Sequence, residues 1–90
     1  MTTLTTLGRT TFSRADSTDL KLFRVNAGIP VETALEMVSQ LQHHANQLTL
    51  DAAMSDQGER FSWSALYLGE MAKALIDEVT ETLFLPRADT

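Results

Sequence analysis

Apolar residues recur at steps of three and four along the middle of the chain. The stripe consists of Val31, Ala34, Leu35, Val38, Leu41, Ala45, Leu48 and Ala52. Such steps place residues on one face of an α-helix. Pro30 precedes the stripe, as is favoured at the first helical position, and Glu32 suits the positive end of the helix dipole. The pattern therefore predicts a first helix over residues 30–54.

A second stripe of the same period follows a short polar break. The break is Ser55, Asp56, Gln57 and Gly58, and we expect Gly58 to take the left-handed conformation that ends a helix. The second stripe consists of Phe61, Ala65, Leu68, Ala72, Leu75, Ile76, Val79 and Leu83, and Pro86 stops it. Two long helices joined by so short a connection must run antiparallel. The sequence thus predicts a hairpin of helices over residues 30–54 and 60–84.

The first nineteen residues lack this period. They hold seven threonines and two serines among few large apolar side chains, which predicts a flexible arm over residues 1–19 that does not pack. Basic and apolar residues interleave over residues 20–25, before a turn-forming stretch at 26–28, and this is typical of a short strand. A lone strand leaves backbone groups unpaired, so it needs a second copy of the chain or a helix to cover it. The helical-hairpin domain is predicted over residues 20–85.

Composition narrows the classes of function. The chain has 90 residues, a net charge of -5 and no cysteine. Negative charge opposes binding to nucleic acid and to anionic membranes, and no apolar run is long enough for a secretory signal or a membrane span. We therefore expect a cytoplasmic protein without nucleic acid or membrane as a partner.

Small side chains weaken the predicted core. Ala45, Ala52, Ala65, Gly69 and Ala72 permit a close helix crossing but bury little apolar area. Small domains of this kind gain stability from disulfides, metals or another subunit, and disulfides are excluded here. The expected fold class is mainly α: a long antiparallel helical hairpin, preceded by a short extended segment, that pairs into a homodimeric four-helix bundle.

No arrangement of residues indicates catalysis, a metal or a cofactor. His43 and His44 are adjacent, so on a helix they point about 100° apart and cannot share one metal ion. Ser62 and Ser64 have no histidine at a predictable distance, and the four glycines form no phosphate-binding loop. We therefore expect a protein that is not an enzyme and has no metal or cofactor.

Carboxylates concentrate on the second helix. Glu70, Asp77 and Glu81 share its polar side. Asp77, Glu78 and Glu81 also crowd its C-terminal end, where the helix dipole disfavours negative charge, so local stability does not explain them. They form either a solvated acidic face or a docking surface for a basic partner.

A group of apolar residues lies outside both stripes, near the helical turn. It consists of Leu50 and Met54 on the first helix and Trp63, Leu66 and Tyr67 on the second. Trp63 and Tyr67 are one helical turn apart, and Glu70 adds charge beside them. These six residues are the candidate partner-binding site. The cluster is either covered, by a second subunit or by the segment around Phe23, or it is an exposed anchor for another protein.

Several groups of residues resemble a known family. They are Phe23-Arg24-Val25, Gly28-Ile29-Pro30, Ala34-Leu35, Leu50-Asp51-Ala52-Ala53, Trp63 and the run from Tyr67 to Leu75. The arrangement resembles a family of short acidic proteins of pseudomonad bacteria that is catalogued as a domain of unknown function. The resemblance covers about residues 22–79. It implies a single helical-hairpin domain and no particular activity.

The expected function is that of a small non-enzymatic interaction or regulatory module, which presents an aromatic patch and an acidic helix face to an unidentified protein. One alternative is an acidic decoy that occupies the basic surface of a nucleic-acid-binding protein, as phage or host-defence inhibitors do. A second alternative is a small ligand-binding bundle with Gln40, His44, Asp51 or Glu70 as its polar groups.

Overall fold

The computed structural model describes residues 4–14 and 19–84. In chain order these form β1 (Thr11–Arg14), β2 (Lys21–Arg24), α1 (Val31–Ala53) and α2 (Glu59–Phe84). The strands pair into a short antiparallel hairpin, and the two helices pack against each other. The mainly helical architecture is confirmed, and each helix begins and ends within one residue of its predicted bounds.

The core lies between the two helices. Val31 and Ala34 at the start of α1 contact Val79 near the end of α2, so the helices run antiparallel. The buried apolar residues are Val25, Val31, Ala34, Leu41, Ala45, Ala72, Ala74 and Val79. All of them are aliphatic, and half are alanines. Leu35 and Leu83 were predicted in the stripes but are exposed, because each lies about 100° around its helix from a buried neighbour, Ala34 or Thr82.

The start of α1 differs in detail from the prediction. Pro30 is the residue before the helix rather than its first residue. The N–H of Val31 donates to the carbonyl oxygen of Leu4 at 3.0 Å, so the N-terminal segment satisfies one of the free N–H groups of α1.

The left-handed conformation predicted for Gly58 is wrong. The helix α1 ends at Ala53 and is followed by Met54, whose φ is -96°, and the described glycines with positive φ are Gly8 and Gly28. Gly58 is instead required by space, because a Cβ there would lie 2.7 Å from the carbonyl oxygen of Ala52.

The predicted strand finds its partner inside the stretch that was expected to be an unpacked arm. Thr11 pairs with Arg24 and Phe12 with Phe23. The antiparallel alignment continues toward the N-terminus, where the N–H of Thr6 donates to the carbonyl oxygen of Ile29 at 2.8 Å. The expectation of an unpacked arm is therefore wrong for residues 4–14. Residues 1–3 and 15–18 lie outside the described part of the chain.

Within the described residues, neither helix has the length and apolar character needed to cross a membrane.

Candidate docking surface

An apolar groove of about 720 Å³ lies between the strand hairpin and the N-terminal half of α2. We call it the aromatic groove. Its hairpin wall is formed by Phe12, Ser13, Leu22 and Phe23, and its helix wall by Trp63, Leu66, Tyr67, Glu70 and Met71. The helix residues fall on one face because they are spaced by three and four positions. This face points away from the stripe of α2 that packs on α1.

Each wall of the groove is built around a pair of aromatic rings. The rings of Phe12 and Phe23, which face each other across the two strands, have centroids 5.4 Å apart and are tilted by 33°. The rings of Trp63 and Tyr67, one turn apart on α2, have centroids 6.3 Å apart and are tilted by 32°. Both distances fall in the range of attractive ring contacts. The pairs fix the positions of four rings without burying them.

Much of the apolar surface of the groove remains open. Leu22, Phe23, Trp63, Leu66 and Tyr67 are between 49% and 61% exposed. Single exposed apolar residues are ordinary on protein surfaces, but a contiguous patch of them is typical of an interaction site. The groove therefore has the chemistry of a protein-docking surface.

One hydrogen bond ties the two walls together. The hydroxyl of Ser13 donates to Oε2 of Glu70 at 3.0 Å. Ser13 has a φ of 60°, a backbone conformation that non-glycine residues rarely adopt. The bond holds the end of β1 against α2 and places the polar groups at the edge of the apolar patch.

The structure brings together four of the six predicted site residues. Trp63, Leu66, Tyr67 and Glu70 line the aromatic groove. Leu50 on α1 and Met54 directly after it are exposed and do not line the groove. The prediction of one cluster containing all six is therefore corrected. The other lining residues are Met71 of α2 and four residues of the strand hairpin, of which Phe23 was predicted as a cover.

A second contact, which apolar periodicity does not predict, holds the N-terminal segment on α2. The fully buried carboxylate of Glu78 accepts four backbone hydrogen bonds. The N–H groups of Leu7 and Gly8 donate to Oε2 at 2.5 and 2.7 Å, and those of Arg9 and Thr10 donate to Oε1 at 3.0 and 2.8 Å. Successive N–H groups that converge in this way form a concave anion-binding site, which is here filled by a side chain of the same chain.

This contact corrects the interpretation of Glu78 as an unexplained charge near the end of α2. Burial raises the pKa of Glu78, but hydrogen bonds from the backbone of Thr10, Gly8 and Arg9 and from the side chain of Thr10 outweigh burial and hold the pKa below its ordinary value. The carboxylate is therefore kept ionised by the segment that it binds.

The buried residues around Glu78 form a regular pattern along α2. Ala74, Glu78 and Thr82 are buried and spaced by four residues. A stripe of alanine, glutamate and threonine has little apolar character, so a search for apolar periodicity does not find it. The spacing itself was the available signal.

Two further carboxylates of α2 also have partners. Asp77 forms an ion pair with Lys73 at 2.7 Å, and Glu81 forms one with Arg9 at 3.4 Å. Both pairs are solvent-exposed, which makes each of them a weak contribution to stability. The acidic face expected from the sequence is thus partly neutralised by contacts within the chain.

Four of the five residues considered for a metal or ligand lie on the surface of α1, and the fifth, Glu70, lies on α2. Gln40, His43, His44 and Asp51 are exposed, and the rings of the two histidines meet edge to face with centroids 5.4 Å apart. Among the described residues, no three histidine or carboxylate side chains are grouped so that they could hold a metal ion.

One comparison with known proteins identifies a family. A model of the family described as protein of unknown function, DUF3077, matches residues 6–82. No significant match was found among curated proteins or among solved structures. The match spans both strands and both helices up to Thr82, and it includes the segment that binds Glu78. The resemblance to a domain of unknown function is confirmed, and the chain belongs to the DUF3077 family.

Proposed function

We propose that this protein is a non-enzymatic protein-interaction module that docks through the aromatic groove. The observation that carries the proposal is the row of half-exposed apolar side chains on the two walls of the groove, in which Phe23, Trp63 and Tyr67 are aromatic. Aromatic residues dominate the energetics of protein interfaces because each buries a large area at little cost in side-chain entropy.

The packing of the helices favours this surface over the one expected for a four-helix bundle. The apolar stripes of α1 and α2 face each other within one chain, so less of their apolar surface is left for contact with a second chain. The homodimer predicted from the sequence remains a proposal. In that proposal it is the aromatic groove, rather than the two stripes, that makes the contact.

The two alternatives from the sequence have less support. An acidic decoy needs free carboxylates on α2, where Glu70, Asp77, Glu78 and Glu81 all have partners within the chain. Of the four polar groups predicted for a ligand site between the helices, Gln40, His44 and Asp51 are exposed on α1, and Glu70 alone of the four lines the cavity between α1 and α2. The interaction module is the function that the geometry supports best.

Photo-crosslinking in the native cell tests the proposal. Tyr67 is replaced by the photoreactive residue p-benzoylphenylalanine, and the same residue is placed at His43, which is exposed on α1, as the matched control. We expect covalent protein adducts from position 67 and few from position 43, with mass spectrometry to identify the attached chain. Adducts from neither position, or equal yields from both, would contradict an interaction module that docks through this groove.

A further inference from the structure

We infer that the occupant of the aromatic groove is a second copy of this chain, related by a two-fold axis that runs along the groove. The inference builds on the proposed function and names its partner. It follows from the composition of the core, the area of the groove and the distribution of charge between its two walls.

The single chain buries its small apolar residues and leaves its large ones exposed. The described buried apolar residues are valine, alanine and one leucine, while Trp63, Tyr67 and Phe23 are more than half exposed. Such a core removes little apolar area from water. A cover that is needed for stability must be present whenever the chain is folded. A second copy meets this condition, because dimer formation is coupled to folding of the same molecule.

The aromatic groove has enough apolar area for a dimer interface. The six open apolar side chains are Leu22, Phe23, Trp63, Leu66, Tyr67 and Met71. At half exposure they offer roughly 500 Å² of apolar surface, since one aromatic side chain alone buries about 150–250 Å². A standard interface buries about 800 Å² per partner, and somewhat more than half of it is apolar. The groove is therefore large enough to form the apolar centre of a stable dimer.

Basic residues are concentrated in the N-terminal part of the chain, and acidic residues in the helical part. Residues 1–24 hold four of the seven basic residues but only two of the twelve acidic ones, and residues 25–84 hold nine acidic and two basic residues. Exposed Lys21 and Arg24 precede and follow Leu22 and Phe23 in β2, although neither of the two basic residues lines the groove itself. On α2, Glu59 and Arg60 both lie one turn before Trp63, and Glu70 lines the groove. The hairpin strand β2 is therefore basic, and the helix wall carries one more acidic than basic residue.

A groove with walls of opposite sign is complementary to itself. A two-fold axis along the groove places the basic hairpin wall of one copy on the acidic α2 wall of the other, and it does so twice in each dimer. A partner of a single sign would be repelled by one of the two walls. Like charges facing each other across an interface oppose the wrong pairing, so an axis across the groove, which sets α2 against α2, is disfavoured.

Charge reversal on full-length chains tests this arrangement. One variant carries K21E and R24E, which makes both walls acidic, and the other carries E59K and E70K, which makes both walls basic. We expect each variant alone to dimerise at least about tenfold more weakly than the original chain. An equal mixture should form a heterodimer, because both of its contacts then join opposite charges. The variant E36K/D51K makes the same charge change on exposed positions of α1 and should dimerise normally.

Sedimentation velocity gives the masses, and circular dichroism confirms that each variant is folded. The fluorescence of Trp63, the single tryptophan of the chain, reports on the groove directly. Its emission should shift to longer wavelength on dilution, together with the loss of dimer mass.

A monomer at all concentrations with constant Trp63 emission would overturn the dimer. A dimer that both charge reversals leave intact would overturn its placement. If position 67 crosslinks only to a different protein, the interaction module stands and the second copy as occupant fails.

Discussion

The carboxylate of Glu78 and the backbone nitrogen of Gly8 lie 2.7 Å apart, although seventy residues separate them along the chain. The bond is one of four that tie the N-terminal segment to α2. The hairpin wall of the aromatic groove continues directly from this segment, since Thr10 binds Glu78 and Phe12 lines the groove. Glu78 thus positions half of the candidate docking surface without belonging to it.

Replacing the Glu78 carboxylate should destabilise the fold. In Glu78→Gln an NH2 group takes the place of one oxygen and faces N–H groups that can only donate, so buried hydrogen bonds are lost. We expect a loss of about 3 kcal/mol in the free energy of unfolding, measured by urea denaturation. The matched control is Asp77→Asn, one position earlier, which removes only an exposed ion pair and should cost at most about 1 kcal/mol. Equal effects of the two changes would show that the buried carboxylate is not a structural anchor.

The same carboxylate should make stability depend on pH. The folded pKa of Glu78 lies below its ordinary value of 4.5, so the unfolded state binds the proton more tightly. The stabilisation is therefore fully present above pH 4.5 and is lost as the pH falls through the folded pKa. Urea midpoints measured from neutral pH downward should show this loss in the original chain and less of it in Glu78→Gln. Identical pH profiles would contradict the assignment.

Glycine at position 8 should be required for two separate reasons. Its φ is +77°, and a Cβ there would lie 2.8 Å from the Cβ of Ala27. We expect Gly8→Ala to cost at least about 2 kcal/mol. Gly28→Ala has the unfavourable φ, +82°, without a close neighbour, so it should cost about 1 kcal/mol. Gly69→Ala, in the middle of α2 with open space around it, should stabilise by about 0.5–1 kcal/mol. Thermal or urea unfolding of the three variants measures this order. A Gly8→Ala variant at least as stable as Gly28→Ala would contradict it.

Two positions on α1 test the helical phase. Leu41 is buried between the helices, so Leu41→Ala should cost about 2–5 kcal/mol. His43 is exposed on the same helix, and His43→Ala should change stability by less than about 0.5 kcal/mol. Denaturation curves in which the histidine change is the more harmful would place the wrong face of α1 toward α2.

Periodicity was sufficient to predict the helices but not the N-terminal segment. The stripes from Val31 to Ala52 and from Phe61 to Val79 are apolar on one side, and this signal specified both helices and their contact. Residues 4–14 have no such signal, because they pack through backbone bonds to residues 25–31 and to Glu78. A count of side-chain polarity therefore predicts an arm where the structure has a paired strand.

The aromatic groove was half predictable for a related reason. Trp63, Leu66 and Tyr67 stand out as apolar residues beyond the stripe of α2, so their grouping followed from helix geometry. Phe12 and Leu22 enter the groove only because β1 pairs with β2. Leu50 and Met54 were grouped with the aromatic residues because they lie near the same turn. In the structure Leu50 lies on α1 and Met54 directly after it, and neither lines the groove.

The binding of Glu78 through N–H groups alters which substitutions the N-terminal segment tolerates. Every amino acid except proline carries a backbone N–H group, so these hydrogen bonds depend on the backbone conformation of residues 7–10 and not on their side chains. Thr10 is the one residue of the four whose side chain adds a hydrogen bond. Proline is excluded at all four positions, and position 8 admits little besides glycine. The side chain of Leu7 is free of this constraint. Two chains of this fold can therefore differ widely in the amino-acid sequence of this segment while the carboxylate of Glu78 binds it in the same way.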